Sequence, residues 1–153
     1  MSGTTPWRSR PGAADDLDFL QAAELDYIRE REPDQESAWL RAVDRNRALR
    51  TANLSRTTVL EIDGEAVGYA MWAVMDGVAT VVTLHVRPAQ RRHGLGRVLL
   101  DLLADDVARS GHAVLALGVH RANPARGLYE SAGFTAAGSD GDYLLLRRGL
   151  AVS

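Results

Sequence analysis

The chain has 153 residues, which suits a single domain with its own hydrophobic core and leaves little room for a second domain. Its formal net charge of −2 gives no general attraction for nucleic acid, so a nucleic-acid partner is disfavoured. The chain contains no cysteine and no lysine, which excludes disulfides, thiolate metal ligands, a cysteine nucleophile, Schiff-base chemistry and a Walker-type phosphate loop.

The N-terminal stretch and the length of the apolar runs bear on the cellular location of the protein. The stretch MSGTTPWRSRPG lacks an apolar segment of signal-peptide length, and no run approaches the roughly 18 apolar residues of a membrane span. We therefore expect a soluble, cytoplasmic protein without a membrane partner. Residues 1–5 are expected to form a flexible leader, followed by one domain over residues 6–153.

Hydrophobic periodicity and turn residues predict the secondary structure. The first half of the chain is predicted to form a strand at 7–10, helices at about 15–30 and 36–52, and strands at 57–62, 66–74 and 78–86. A helix then runs from Gly94 to a cap at Gly111 and is followed by a strand at 113–119. The chain ends with a short helix, capped by Asn123 with Pro124 at its first position, and a hairpin that turns near 140–141. The three strands between 57 and 86 form an antiparallel meander, and the strand–helix–strand unit at about 78–119 makes its two strands parallel.

The segment RRHGLGR at residues 91–97 lies where the third meander strand gives way to a helix. Glycines at 94 and 96 allow positive φ and let the backbone approach a ligand closely. The first N–H groups of the helix lack internal partners and, with the helix dipole, form a site suited to phosphate. Because the flanking arginines add positive charge, a cofactor that carries a pyrophosphate is the natural ligand.

Two glycines at this spacing are, by themselves, weak evidence for a phosphate site. The alternative interpretation is a strand-to-helix turn that needs glycine for its backbone conformation and binds no ligand. A Rossmann loop needs a third glycine where this chain has Leu99, and it follows a parallel sheet rather than an antiparallel one. Neither the Rossmann loop nor the Walker loop fits this segment.

Two separated segments resemble the GNAT superfamily of N-acetyltransferases. The family's acyl-CoA loop, Arg/Gln-x-x-Gly-x-Gly/Ala, reads RRHGLG at residues 91–96, after LHVRP at 84–88, which is similar to the end of the family's fourth strand. The segment NPARGLYESAGF at 123–134 is similar to the family's Asn-x-x-Ala-x-x-Leu-Tyr-x-x-x-Gly-Phe. One departure is Gly127, which lies near where a small or apolar helical residue is usual.

The resemblance covers roughly residues 6–149 and implies the GNAT fold, of class α/β (α+β). This fold has a mixed, mostly antiparallel sheet of six to seven strands flanked by about four helices, with its fourth and fifth strands parallel and splayed apart.

The resemblance implies acetyl-CoA as co-substrate and no metal. The pantetheine arm would lie between the splayed strands and pair with the main chain of Leu84 and Val86. Asn123 would contact the cofactor and cap the last helix, and Tyr129 would lie near the thioester sulfur. The pyrophosphate would be cradled by backbone N–H groups of the loop residues Arg91, Arg92, His93, Gly94, Leu95, Gly96 and Arg97.

The implied chemistry is acetyl transfer to a primary amine, which is almost wholly protonated at pH 7 and must lose a proton before it attacks. Tyr129 holds its proton at neutral pH and fits the general acid for the leaving thiolate, with ring packing in the core as the alternative role. The backbone N–H of Leu84 or His85 would bind the oxyanion. The two splayed strands contain no carboxylate, so His120 and His85 are the candidate bases. Removal of the proton by water is the leading alternative.

We expect the acceptor to be a small molecule more readily than a protein N-terminus. A non-catalytic acyl-CoA sensor stays open because the carboxylate base is missing, whereas the complete loop argues against a fold that has lost its cofactor. Homodimers are common in the family, although the sequence reveals no interface.

Two charged stretches, one acidic and one rich in arginine, can each be interpreted as a solvated surface or as part of a functional site. The acidic stretch at residues 24–36 is typical of a solvated loop, but in the family this region often lines the acceptor site, where acids would attract a cationic amine. The arginines of the second helix are interleaved with acids, which is typical of a solvated face.

Overall fold

The computed structural model of the protein describes residues 6–91 and 93–151. The predicted leader at residues 1–5, the loop residue Arg92 and the last two residues lie outside this description, so the predicted domain boundary stays a prediction. None of the described helices combines the length and the apolar character needed to cross a membrane.

The described residues form seven strands and five α-helices. In chain order these are β1 (Trp7–Pro11), α1 (Leu17–Arg31), α2 (Glu36–Arg41), α3 (Val43–Ala52), β2 (Thr57–Ile62), β3 (Glu65–Met75), β4 (Val78–Val86), α4 (Leu95–Arg109), β5 (Val114–His120), α5 (Arg126–Ser131), β6 (Thr135–Asp140) and β7 (Tyr143–Gly149).

One mixed sheet contains all seven strands, in the order β1-β2-β3-β4-β5-β7-β6. The β4–β5 pair is parallel, and every other neighbouring pair is antiparallel. The predicted fold class is therefore confirmed, including the antiparallel meander and the parallel pair joined through a helix.

Alternating side chains of β3 contribute to two cores, one on each face of the sheet. On one face Trp72 packs with the apolar stripe of α4, including the fully buried Leu99 and Leu103. On the other face Tyr69 and Met71 pack with Leu20 of α1. The sheet is thus held between α4 on one side and α1 on the other, which fixes the position of β4 between them.

Two boundaries differ from the prediction. The predicted helix at 36–52 is wrong as a single element, because Ala42, with φ −99° and ψ 10°, separates α2 from α3. The last helix begins at Arg126 rather than at Pro124. Asn123 still caps this region, since its Oδ1 accepts a hydrogen bond from the Ala125 N–H at 2.8 Å.

Candidate functional site

A cleft opens between β4 and β5, the two parallel strands at the centre of the sheet. They pair at a single position, Thr80 with Ala116. Beyond it, β4 carries a β-bulge, because its pairing with β3 passes from Val81–Trp72 to Thr83–Met71 and leaves one extra residue. A bulge bends its strand and increases the twist, so the C-terminal ends of β4 and β5 separate. This is the splay that the resemblance implies.

The main chain of β4 faces this cleft at alternate residues. The Arg87 N–H donates to the Val67 C=O at 2.8 Å, which makes those two residues a hydrogen-bonded pair of the β3–β4 ladder. Because backbone groups alternate in direction along an antiparallel strand, His85 also bonds β3, whereas Leu84 and Val86 direct their N–H and C=O groups toward β5. No residue of β5 pairs with them. Both therefore offer main-chain groups to a ligand in the cleft, although the Val86 C=O already accepts a hydrogen bond from Arg91 Nε at 3.1 Å.

The turn from β4 into α4 presents free amide donors. The first hydrogen bond of α4 runs from the Val98 N–H to the Gly94 C=O at 3.1 Å. The N–H groups of the three residues in between, 95–97, therefore have no acceptor within the helix. Gly94 has φ +78°, and a Cβ on it would meet no atom of the described residues within 4 Å. This open space at the positive end of a helix fits a diphosphate.

Gly96 has a different role from Gly94. It is the second residue of α4, and the positive φ that both glycines allow occurs at Gly94 but not at Gly96. A Cβ on Gly96 would lie 2.8 Å from Leu128 Cδ2 of α5. The glycine at this position permits close contact between α4 and α5.

The basic side chains around the loop are partly committed to other partners. Arg97 donates from Nη1 to the Ser131 C=O at 2.7 Å and from Nε to Asp101 at 3.2 Å. The group that Arg97 leaves free for an anion at the loop is therefore its backbone N–H, the group that the resemblance implies. His93 is exposed to solvent, and Arg92 lies outside the described residues.

A cavity of about 370 Å³ occupies the cleft and extends under α1, α2 and α3. Its wall brings together Leu84, His85, His120, Asn123 and Tyr129 of the predicted site, whereas the described residues of the loop, 91 and 93–97, do not line it. The other polar and aromatic residues in its wall are Glu24, Tyr27, Glu32, Trp39, Asn46, Arg50, Tyr69, Thr83 and Tyr143.

Tyr129 is held by α5 against the core. Its ring meets Phe134 edge-on, with 6.2 Å between the ring centroids. Burial raises the pKa of the Tyr129 hydroxyl to about 12, so the hydroxyl is protonated at neutral pH. No hydrogen bond from the described residues engages this hydroxyl. It is therefore a proton donor available to an occupant of the cavity.

Two further tyrosines connect α1 to the strands across the cavity. The Asn123 Nδ2 donates to the Tyr27 hydroxyl at 3.1 Å, and the Tyr143 hydroxyl donates to Glu32 Oε1 at 3.1 Å. Burial, together with the neighbouring Glu32 carboxylate, raises the pKa of Tyr27 to about 12. The Tyr143 contact holds Glu32 in the cavity wall, whereas the role of this acid toward an amine stays a prediction.

His120 ends β5 with one ring nitrogen already engaged. Its Nδ1 accepts a hydrogen bond from the Ala122 N–H at 3.1 Å, and its ring lies edge-on to Tyr143 at 5.4 Å between centroids. With Nδ1 as acceptor, the neutral ring carries its proton on Nε2. In this tautomer Nε2 donates a hydrogen bond, which weighs against His120 as the base.

His85 lies on the α1 face of the sheet, packed against Tyr69 and Phe19 with ring centroids 5.6 Å and 6.0 Å away. Burial, followed by the nearby Arg91 charge, lowers the pKa of His85 to about 4, although Asp26 opposes the shift. The ring is therefore neutral at pH 7 and only weakly basic.

We expect the free energy of unfolding to fall between pH 7 and pH 5, partly because of His85. Its pKa of about 4 in the folded protein lies below the usual 6.5, so the unfolded chain binds the proton first as the pH falls. The stabilisation is complete above pH 6.5 and is lost toward pH 4. Because solvent still reaches the ring, the loss should be about 1–2 kcal/mol. Urea unfolding at both pH values measures it.

The substitution His85→Gln should flatten this pH dependence, and His93→Gln, at an exposed position, should leave it unchanged. An equal pH dependence in the wild type and in His85→Gln would contradict the assignment to His85.

An ion pair in the cavity wall was not anticipated from the sequence. Glu24 accepts hydrogen bonds from Arg50 Nε at 2.6 Å and from Nη2 at 2.9 Å. The two side chains are only 13% and 14% exposed. The prediction of a solvated face is therefore wrong for Arg50, although Arg41, Arg45 and Arg47 are exposed.

Comparison with known proteins decides the family. The model of the acetyltransferase (GNAT) family matches residues 18–134, which is most of the chain. The chain belongs to the GNAT family. This GNAT chain is 40% identical over 76 residues to the ribosomal protein bS18 alanine N-acetyltransferase of Escherichia coli (strain K12), a match that covers 49% of the chain and 51% of the relative.

Two other similarities add to the picture of this GNAT protein. It is 39% identical over 83 residues to the L-methionine sulfoximine/L-methionine sulfone acetyltransferase of Salmonella typhimurium, covering 50% of the chain and 48% of the relative. The chain thus spans about half the length of the curated relatives it matches. The crystal structure of PaiA N-acetyltransferase from Thermoplasma acidophilum in complex with coenzyme A superposes with a TM-score of 0.80 at 16% identity, covering 95% of this chain and 99% of that one.

Proposed function

We propose that the protein transfers the acetyl group of acetyl-CoA to a primary amine of a small molecule. The observation that carries this proposal is the cleft between β4 and β5, which exposes the unpaired main chain of Leu84 and Val86 and is followed along the chain by the free amides at the start of α4. An extended thioester with a diphosphate at one end needs this combination of an unpaired strand edge and a helix N-terminus.

On this proposal, one set of groups around the cleft binds the cofactor, and the rest of the cavity binds the acceptor. The amides at the start of α4 hold the diphosphate, and the main chain of Leu84 and Val86 pairs with the pantetheine arm. Bound acetyl-CoA supplies an acetyl group activated as a thioester. The cavity beyond His85, under α1 and α3, is left for the acceptor.

The size and charge of the cavity support a small amine as acceptor. The whole cavity, which the acceptor shares with the acetyl end of the cofactor, has a volume of about 370 Å³, near the lower end of the range for small-molecule sites, so the space left for the acceptor suits a small molecule. Glu32 contributes a carboxylate and Trp39 an aromatic face, both of which attract cations. Among the relatives, the methionine sulfoximine acetyltransferase is named for small molecules and the bS18 enzyme for a protein, so a protein N-terminus is the alternative acceptor.

Three groups divide the chemistry. The Leu84 N–H, which faces the cleft, donates to the carbonyl oxygen as negative charge develops there, whereas the His85 N–H is directed to β3. The Tyr129 hydroxyl, with a pKa of about 12, keeps its proton at pH 7 and gives it to the leaving thiolate, and the resulting phenolate takes up the second proton that the amine nitrogen loses as the amide forms. Water removes the proton of the amine, and Glu32 is the carboxylate to which that water passes it, since Glu24 is committed to Arg50.

Release of free thiol from acetyl-CoA in the presence of amines tests the proposal. Because the chain has no cysteine, coenzyme A is the only thiol formed, and a chromogenic disulfide reports it without background from the protein. We expect turnover with at least one class in a panel of amines, amino acids and short peptides. Binding of coenzyme A without turnover across the panel would favour a non-catalytic sensor. Turnover with peptides alone would favour a protein acceptor.

A further inference from the structure

We propose that the acceptor carries a carboxylate as well as its amine, and that Arg50 holds this carboxylate. The inference deepens the proposed function and depends on it for the position of the amine. It starts from one atom: Arg50 Nη1 is buried and has no hydrogen-bond partner among the described residues.

Arg50 is fixed in the cavity wall by its other nitrogens. Nε and Nη2 bond the Glu24 carboxylate at 2.6 Å and 2.9 Å, so Glu24 occupies the side edge of the planar guanidinium. A guanidinium has five N–H donors. Glu24 therefore leaves three N–H groups, two on Nη1 and one on Nη2, and these two nitrogens form the fork that binds a carboxylate with two parallel hydrogen bonds.

An unpartnered charged donor in a protein interior calls for an explanation, because native structures pair nearly all such groups. Here Arg50 is one of the residues that line the cavity assigned to the acceptor. Asn46 lies one helical turn before Arg50 on α3 and lines the same cavity, which adds an amide beside the guanidinium. A carboxylate that enters the cavity supplies the acceptor that Nη1 lacks.

The charges around the cavity distinguish a carboxylate from a second cation. Arg50 is the one arginine in the wall of this cavity among the residues that the structure describes. Its pair with Glu24 is neutral overall, and Glu32 provides a separate negative charge. A molecule with a carboxylate and an amine, such as an α-amino acid, matches both groups. Its carboxylate matches the free edge of the Arg50 guanidinium, and its amine matches Glu32.

The test compares each of the common L-amino acids with its own amide as acceptor, using free thiol release. Conversion to the amide removes the negative charge and also lowers the pKa of the amine, which favours the amide as a nucleophile. A preference for the acid therefore cannot arise from amine basicity. We expect kcat/KM to be about 10- to 100-fold higher for the acid of the best pair, mainly through KM.

Removal of the guanidinium should abolish this preference. Arg50→Gln alone leaves Glu24 buried without its partner and endangers folding. The double substitution Glu24→Gln, Arg50→Gln keeps the wall neutral and should bring the ratio of acid to amide close to 1. Arg47→Gln is the matched control, because Arg47 lies on the same helix but bonds Asp18 and Gln21 outside the cavity. It should keep the wild-type ratio.

Calorimetric titration of the same pairs into the protein saturated with coenzyme A separates this inference from the proposed function. Tighter binding of acids than of amides, lost in the double variant, supports the carboxylate site even when no acceptor turns over. Equal use and equal binding of acids and amides by the wild type would overturn the inference, and so would a preference that survives in the double variant.

Discussion

Replacement of Tyr129 by phenylalanine should lower kcat for acetyl transfer by about 100-fold, the usual contribution of a positioned general acid. The phenylalanine keeps the edge-on contact with Phe134 and removes only the hydroxyl. Because that hydroxyl has no protein partner among the described residues, its removal leaves no polar group unsatisfied. The free energy of unfolding should therefore change by less than about 1 kcal/mol, and the Kd of coenzyme A should stay within twofold.

Two measurements make this expectation specific to an acid. An acetyl thioester whose thiol is more acidic than coenzyme A needs less proton donation to its leaving group. With this substrate, the ratio of the wild-type kcat to the Tyr129→Phe kcat should therefore be smaller than with acetyl-CoA. Tyr143→Phe removes a hydroxyl that lines the same cavity but donates to Glu32, and it should lower kcat by less than about threefold. If Tyr129→Phe retained more than half of the wild-type kcat, the general-acid role would be wrong.

Replacement of Gly94 by valine should weaken coenzyme A binding by about 10-fold or more. Gly94 has φ +78°, a conformation that costs an ordinary L-residue about 1–2 kcal/mol and a β-branched residue more. The chain can relieve this strain by rotating the backbone at 94, which turns the amides of the following residues away from the diphosphate. Each 1.4 kcal/mol of lost binding is tenfold in Kd. Isothermal titration with coenzyme A measures the change.

The chain offers a matched control for the strain itself. Gly64, in the turn between β2 and β3, has φ +81°, and a Cβ there would also meet no atom within 4 Å. Gly64→Val should therefore cost a similar amount of stability while leaving the Kd of coenzyme A unchanged. Equal weakening of coenzyme A by both substitutions would mean that the loss comes from general destabilisation rather than from the phosphate-binding turn.

The features that the sequence predicted well depend on short stretches of chain. The meander, the end of β4 two residues before Pro88 and the left-handed residue at Gly94 are each dictated by local backbone preferences, and glycine and proline mark these preferences in the sequence. The break at Ala42 has no such marker, because alanine favours helix continuation. The extra residue of β4 is also unmarked, since valine suits a regular strand equally well.

The role of Arg50 could not be predicted, because it depends on packing between distant segments. Four arginines occur on α2 and α3, and their local spacing gives no reason to separate Arg50 from the others. Only the placement of α3 against α1 brings Arg50 to Glu24, 26 residues earlier in the chain. The same holds for Glu32, which enters the cavity wall through its contact with Tyr143 of β7.

The contact between Gly96 and Leu128 makes the spacing between two parts of the site a property of a single helix–helix interface. Gly96 follows the turn that offers its amides to an anion, and Leu128 immediately precedes Tyr129 in the chain. The two helices approach until a methyl group no longer fits between them without displacing Leu128. A larger side chain at position 96 would displace the Leu128 side chain and, through it, alter the distance between the phosphate-binding turn and the Tyr129 hydroxyl.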